Sequence, residues 1–483
     1  MRNPLIISFL LSCLLLTVQC RKDTFTDGGG NLGFSTDTVT FDTVFTTIGS
    51  TTLSFKIYNR SNNSLRIRSI SLAGGSQSFF RLNIDGEASS SVTNVEVPPD
   101  DSLFIFVSVT VDPQNADNPL VVKDSVLFDV NGAISDVKLI AYGQDVHLID
   151  GEIIGTETWT ANKPYLIYNS MAVDTGSTLT IEPGTSVYFH SGSSMIIWGR
   201  LIVNGTAEEP VILRNDRLEH YYDVVAGQWG TIYIDPISTG NIINHAIIRN
   251  SLAGIQIGYP SDYHVPELTL SNSIIQNVSY TGIYAFGASL TVYNTVIADC
   301  ASAAAALLRG GSYRFLHCTV NNTGVLAASR SGASVILSNV FYNPELDEAS
   351  GNYVYVRRTG DLVNADFNNC ILYGDAVHEF QFVHTASNQF NYRFDHCLVK
   401  ASEDSMDTGD TEHYNALIFN KDPEFKEITD RYHPDFSLDT LSPAQNAGDP
   451  GLTGTYPFLE NDLTGQSRIL DGMPDLGAFE RRE

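Results

Sequence analysis

Seven times between His245 and Val399 the chain runs through one short pattern: a polar Asn or His, a small residue, then two bulky apolar residues. The copies are His245-Ala246-Ile247-Ile248, Asn272-Ser273-Ile274-Ile275, Asn294-Thr295-Val296-Ile297, His317-Cys318-Thr319-Val320, Asn339-Val340-Phe341-Tyr342, Asn369-Cys370-Ile371-Leu372 and His396-Cys397-Leu398-Val399. Their starts lie 27, 22, 23, 22, 30 and 27 residues apart. A period of that length, loose enough to absorb insertions, predicts a β-solenoid in which each coil stacks on the one before.

Equivalent residues in successive coils lie about 4.8 Å apart, so a polar side chain at a corner meets its own kind above and below. Amides placed this way bond along the stack and to loop carbonyls, which satisfies groups that would be costly if buried alone. A second polar column, Asn250, Asn277, Asp299 and Asn322, falls five residues after the first and supports the same register. His245, His317 and His396 are therefore expected to hold corners, not to catalyse. Cys318, Cys370 and Cys397 share the repeat position of Ala246, Ser273 and Thr295, and with Cys300 they read as small core residues. Their spacing implies no disulfide pairing and no zinc site.

Upstream, Ser177 to Thr185, Gly199 to Thr206, Pro210 to Leu213 and Trp229 to Ile234 are strands of about five residues closed by Gly or Pro-Gly, the punctuation of tight corners. They look like the first coils of a right-handed parallel β-helix. From Thr36 to Asp145 the grammar differs. Alternating runs such as Leu53 to Tyr58, Leu65 to Ile70, Leu103 to Val109 and Val137 to Tyr142 predict about seven short strands and a β-sandwich.

Basic residues number 28 against 55 acidic ones, and the net charge of −27 disfavours nucleic acid as a partner. Arg2, the apolar run Leu5 to Val18 and the abrupt Cys20-Arg21-Lys22-Asp23 read as an export signal too short to span a bilayer. The segment resembles a bacterial lipoprotein signal, which implies that Cys20 is acylated and that the membrane is reached through that anchor. Cys13 is the alternative, but cleavage there would leave Leu14 to Val18 exposed. Lys22-Asp23 is similar to the surface-export signal of Bacteroidota lipoproteins.

Two further resemblances come with their residues. The strand order of the sandwich, with Tyr58-Asn59, Pro98-Pro99-Asp100-Asp101 and the closing Ala141-Tyr142-Gly143, resembles immunoglobulin-like domains of abnormal-spindle and Hydin type, which implies a binding or spacer module. The tail carries Asn420 to Phe425, Asp435 to Leu438, Ser442 to Asp449 and Asp475 to Glu480, which together resemble the C-terminal segment of choice-of-anchor Q surface proteins. The expected class is all-β. The expected order is signal peptide 1–19, flexible tether 20–35, immunoglobulin-like β-sandwich 36–145, right-handed parallel β-helix 146–400 and C-terminal cap 401–483.

Chemistry is harder to find. Hydrolases on such a scaffold need clustered carboxylates, and lyases need a Lys or Arg base with acidic calcium ligands. Between Asn241 and Gly332 acids are sparse: Asp262, Glu267 and Asp299. Arg309, Arg330 and Arg357 close adjacent coils, and a rough column of them would bind uronic or sulfated sugars. His378, Glu379 and His384 invite a metal, but on a strand the two histidines lie roughly 20 Å apart. Tyr221, Tyr222, Tyr259 and Tyr263 are candidates for stacking on sugar rings. Asp-Ser/Thr-apolar triplets such as Asp37-Thr38-Val39 resemble the O-glycosylation site of Bacteroidota. The reading is a lipid-anchored outer-membrane protein, surface exposed, with no cofactor and no catalytic residue assigned. It presents its solenoid to a polysaccharide or a surface protein; the alternative is a cell-surface polysaccharide lyase or glycoside hydrolase.

Overall fold

The computed structural model describes residues 25–26, 32–113, 120–323, 330, 332–348, 350–402, 406–407, 409–470 and 472–481. Cys20 and the signal segment lie outside them. The chain divides into two compact units, Met1–Asp145 and Val146–Glu483.

The first unit is a β-sandwich. One sheet has five strands in the order Leu32–Phe34, Leu53–Asn59, Ser102–Val109, Phe80–Ile84 and Glu87–Ala88. The other joins Phe25–Thr26, Ser64–Leu72, Leu120–Val130, Ala133–Gln144 and Thr38–Phe45, with Ser91–Val97 pairing to Ser64–Leu72. Period-two alternation drives this, since Phe55, Ile57, Leu65, Ile67, Ile105, Val107, Val137 and Leu139 all point inward and are buried. Asn59 is buried and donates to the carbonyls of Asn63, Val97 and Pro98, which fixes the turn that follows it. The tether expected over 20–35 contributes strands at 25–26 and 32–34. Its Phe34 ring packs 5.0 Å from Phe128, so an apolar anchor draws the segment into the sandwich.

The second unit is a right-handed parallel β-helix. Each full coil adds one strand to each of three parallel sheets. Sheet 1 runs from His147–Asp150 to Ile418–Phe419, sheet 2 from Ile153–Ile154 to Phe380–Val383, and sheet 3 from Glu157–Trp159 to Tyr414–Asn415. The solenoid thus runs past residue 400 to Phe419. In register, Leu213, Ile248, Ile275, Ile297, Val320, Leu372 and Val399 form one inward column, all fully buried. Each such side chain contributes about 1.5–3 kcal/mol relative to exposure. In the last coils of sheet 3 the inward column becomes aromatic: Phe315, Phe367 and Phe394 stack at 4.8 and 4.9 Å.

The recurring Asn or His sits where sheet 3 turns into sheet 1. His245, Asn272, Asn294, His317, Asn369 and His396 all have φ between 47° and 53°, the left-handed conformation that a β-branched or bulky apolar residue resists. Asn339 is the exception. It follows a sheet 2 strand and opens an antiparallel hairpin, Val340–Asp347 with Asn352–Thr359, so its match to the pattern is fortuitous. The true partner of His317 is Asn369, 52 positions on, whose Nδ2 lies 3.0 Å from His317 Nε2.

The C-terminal segment does its covering along a flank. Phe436, Leu463, Ala478 and Phe479 pack on Ile274, Val296 and Ala298, and Leu438, Ala444 and Leu476 pack on Ile371 and Leu398. The outer surface of sheet 1 is therefore covered from about Ile274 to Leu398, whereas Leu148 in its first strand stays exposed.

Candidate functional site

The polar corners are spent on structure. Asn272 Nδ2 donates to Asn244 Oδ1 at 2.8 Å and Asn294 Nδ2 to Asn272 Oδ1 at 3.0 Å. Fully buried Arg468, from the C-terminal segment, then donates to Asn294 Oδ1 and the Gly477 carbonyl and pairs with Glu480 at 3.3 Å. One coil group further on, Asn369 accepts from the Asp449 amide and its carbonyl from that of Gly477. His317 is enclosed here, and burial, followed by the Arg468 charge, drives its pKa well below the usual imidazole value.

The second column behaves alike. Asn215, Asn250 and Asn277 are chained by amide bonds of 2.8 and 3.0 Å. Asp299 follows them, bonded by Gln276 at 3.1 Å, and burial pushes its carboxyl up to about 6. Cys300, Cys318, Cys370 and Cys397 are buried free thiols; Cys318, Cys370 and Cys397 stack in successive coils.

The three arginines are not brought together. Arg309 follows a sheet 2 strand, Arg330 precedes the next one, and Arg357 lies on the hairpin. Arg309 takes the place of Gly287 one coil back, folds its guanidinium over that glycine, donates to the Phe286 carbonyl and lies under the Tyr263 ring. Arg330 is clamped by Glu379, with Nη to Oε distances of 2.8 and 2.6 Å and both side chains buried. Arg357 alone is exposed, bonded to Thr385. A count along the sequence hides these differences because the connection from Asn322 to Val335 is longer than that from Cys300 to Ala305, which leaves Arg330 ahead of its strand, and because Arg357 lies on an inserted hairpin.

His378, Glu379 and His384 do not form a ligand set either. Glu379 is committed to Arg330, the Ser334 hydroxyl and two backbone amides, while His384 stacks on Phe390 at 5.0 Å. Among the described residues no group of three His, Cys, Asp or Glu side chains stands close enough for a metal.

The outer surface of sheet 2 is where the molecule remains open. A cleft of about 530 Å³ is lined by Ser194, Trp229, Thr231, Leu252, Gln256, Tyr280 and Tyr284 together with glycines and small residues. Tyr233, Gln256 and Tyr284 are outward neighbours in successive coils. The Trp229 ring turns into the core beneath the cleft, stacked on Phe189 at 4.0 Å, with its Nε1 donating to the Arg249 carbonyl. Gly230 lets the chain lie against the neighbouring coil, since a Cβ there would fall 2.0 Å from Ser194 Oγ. Tyr280 and Leu252 stand exposed at the rim. An edge-to-face run of rings, Tyr280, Tyr284, Phe286 and Phe341, links the cleft to the base of the hairpin. Burial raises the Tyr284 hydroxyl pKa, so it stays neutral and acts as a hydrogen-bond donor and acceptor.

The lining holds no Asp, Glu, Lys or Arg. Such a surface offers ring faces and neutral donors and acceptors, which suits the apolar faces and hydroxyls of a sugar. Of the tyrosines expected from sequence, Tyr222 lies under Arg217 and Tyr263 covers Arg309, whereas Tyr280 and Tyr284 escaped notice because no motif marks them. Also unmarked is His190, which immediately precedes the Ser191 of the cleft. Its Nδ1 lies 2.7 Å from the largely buried carboxylate of Asp216, and Tyr168 stacks on its ring at 3.9 Å.

The three-sheet coil and its open outer surface define a solenoid scaffold of the pectate-lyase-like type. In agreement, residues 230–397 match the family model described as the right handed beta helix region. No curated protein matches the chain.

Proposed function

We propose that this protein is a non-catalytic, lipid-anchored protein of the bacterial cell envelope that presents the outer surface of sheet 2 to a neutral glycan. The observation that carries this reading is the uncharged cleft bordered by the Tyr280 and Tyr284 rings. The Cys20 signal, the Lys22-Asp23 pair and the tail similar to choice-of-anchor Q proteins support a Bacteroidota-type surface lipoprotein; the abnormal-spindle/Hydin-like sandwich serves as a spacer. The test is retention of the purified chain on an array of neutral and acidic glycans, repeated with Tyr280→Ala/Tyr284→Ala. Retention on a neutral glycan that the double variant loses is expected; equal retention by both would overturn the reading. For the anchor, radiolabelled palmitate should enter the wild-type chain and not Cys20→Ala.

A second reading, a polysaccharide lyase or hydrolase, is favoured by one observation: the His190 and Asp216 pair holds an imidazole in a fixed orientation just ahead of the cleft. Incubation with polysaccharides, followed through unsaturated products and new reducing ends, decides between the two. Turnover abolished by His190→Ala would replace the binding reading with the catalytic one.

A further inference from the structure

The sandwich unit carries a surface that the solenoid reading does not use. The outward positions of its five-stranded sheet are Gly33, Ser54, Lys56, Tyr58, Arg81, Asn83, Ala88, Ser102, Phe104, Phe106 and Ser108 by the strand register, and none is Asp or Glu. Phe104 and Phe106, two residues apart on one strand, are 45% and 42% exposed although Ile105 and Val107 beside them are fully buried. Their rings lie 5.9 Å apart and within 17° of parallel, an exposed aromatic pair. Lys56 Nζ sits 4.4 Å from the Phe104 centroid. The Arg60 guanidinium lies over Gly33, where a Cβ would come within 2.9 Å of its Nε, so the glycine makes room for the cation on this side. Arg81 is steadied by the Ser78 and Phe80 carbonyls. Acids stand at the ends of this sheet: Asp100 and Asp101 lead into the Ser102 strand beside the Arg60 turn, and Asp85 and Glu87 occupy the turn and the short strand at one edge.

The opposite sheet shows what an ordinary solvated surface of this unit looks like. There Arg66 pairs with Glu96 at 2.7 Å, Arg68 with Asp129 at 3.7 Å and Lys138 with Asp136. In a chain of net charge −27, a sheet whose outward strand positions hold no carboxylate, with three cations on or beside them, is a local reversal of the field.

We propose that this surface is a second carbohydrate site, one for an acidic polysaccharide of the uronic-acid class. Successive sugar rings stack on Phe104 and Phe106 while Lys56, Arg60 and Arg81 meet the carboxylates. Charge complementarity selects the polymer, and the ring pair selects sugar over a simple anion. A second copy of this chain pairing through the same surface is a poor occupant, because like cations would face one another.

The test measures the full chain over immobilised polygalacturonate and over the same polymer fully methyl-esterified, with thermal melting of each variant as the check on folding. The wild type binds the free acid and not the ester, and added salt weakens it. Lys56→Gln/Arg60→Gln and Phe104→Ala/Phe106→Ala each weaken binding roughly tenfold or more. Arg66→Gln/Arg68→Gln, which removes the same charge from the other sheet, leaves it unchanged. The proposal is overturned by absence of wild-type binding, by equal binding of the ester, by equal loss in the Arg66/Arg68 variant, or by binding to anionic phospholipid vesicles in place of the polymer. The neutral-glycan cleft involves other residues and another ligand class, so either site can fail alone.

Discussion

Sheets 1 and 2 are sides of the same coils, built with the same inward columns, yet their outer surfaces have opposite fates. The outer surface of sheet 1 is covered along its later coils by the C-terminal segment, which lays Phe436, Leu476 and Ala478 on them and locks Arg468 onto Asn294. Sheet 2 is left open around Tyr280 and Leu252. The polar residues that recur most conspicuously belong to the closed side and hold it together. The residues that offer a binding surface occur once each and follow no period. In a solenoid, then, repetition marks structural work and departures from it mark candidate function.

The sharpest break of this contrast is Arg468→Ala. It removes the buried ion pair with Glu480 and the donor to Asn294 Oδ1, so about 3–5 kcal/mol should be lost in denaturant unfolding, with faster proteolysis within 420–481. An unchanged midpoint would mean that the C-terminal segment adds nothing to the closed side.

Next in size is a gain. The folded pKa of Asp299 is raised to about 6 from 3.8, so the native state holds the proton more tightly than the unfolded chain. Its stabilising contribution is complete below 3.8 and is lost as pH rises through about 6, leaving a cost of up to about 3 kcal/mol at pH 7. Asp299→Asn keeps an acceptor for Gln276 and tolerates the left-handed φ, so it should stabilise the protein at pH 7 and not at pH 4. His317 runs in the other sense. Its folded pKa is depressed, so its contribution is full above 6.5 and declines as pH falls below that value. The Asn variant at 299 should therefore still destabilise on acidification.

Asn272→Ala should cost about 1–2 kcal/mol through the lost ladder bonds and the strained φ of 48°. Asn272→His should cost less, because histidine already holds the equivalent corner at 245, 317 and 396. The smallest stability effect belongs to the open side. Tyr280→Ala, at an exposed rim, should shift unfolding by under about 0.5 kcal/mol while reducing glycan retention. A large destabilisation there would make Tyr280 a core residue and erase the distinction.

Much of the architecture could be read from residues alone. The Asn and His corners, the second column through Asn250, Asn277 and Asp299, and the buried thiols all stand where their spacing put them, because stacking imposes a period on sequence. The false copy at Asn339 and the misplaced Arg357 share one cause, a hairpin inserted between Ser338 and Leu362 that breaks the count without breaking the stack, while Arg330 is offset by the long connection from Asn322 to Val335. The cleft was illegible, since Trp229, Gln256 and Tyr284 come from different coils and meet only through register.

The amino-acid sequence by itself determined the winding of this chain, since inward apolar residues at period two and left-handed polar corners leave a coil few alternatives. Only the tertiary structure decided which outer surface would be covered and which left open. That depends on where the C-terminal 60 or so residues fold back, a long-range packing choice that no local pattern encodes.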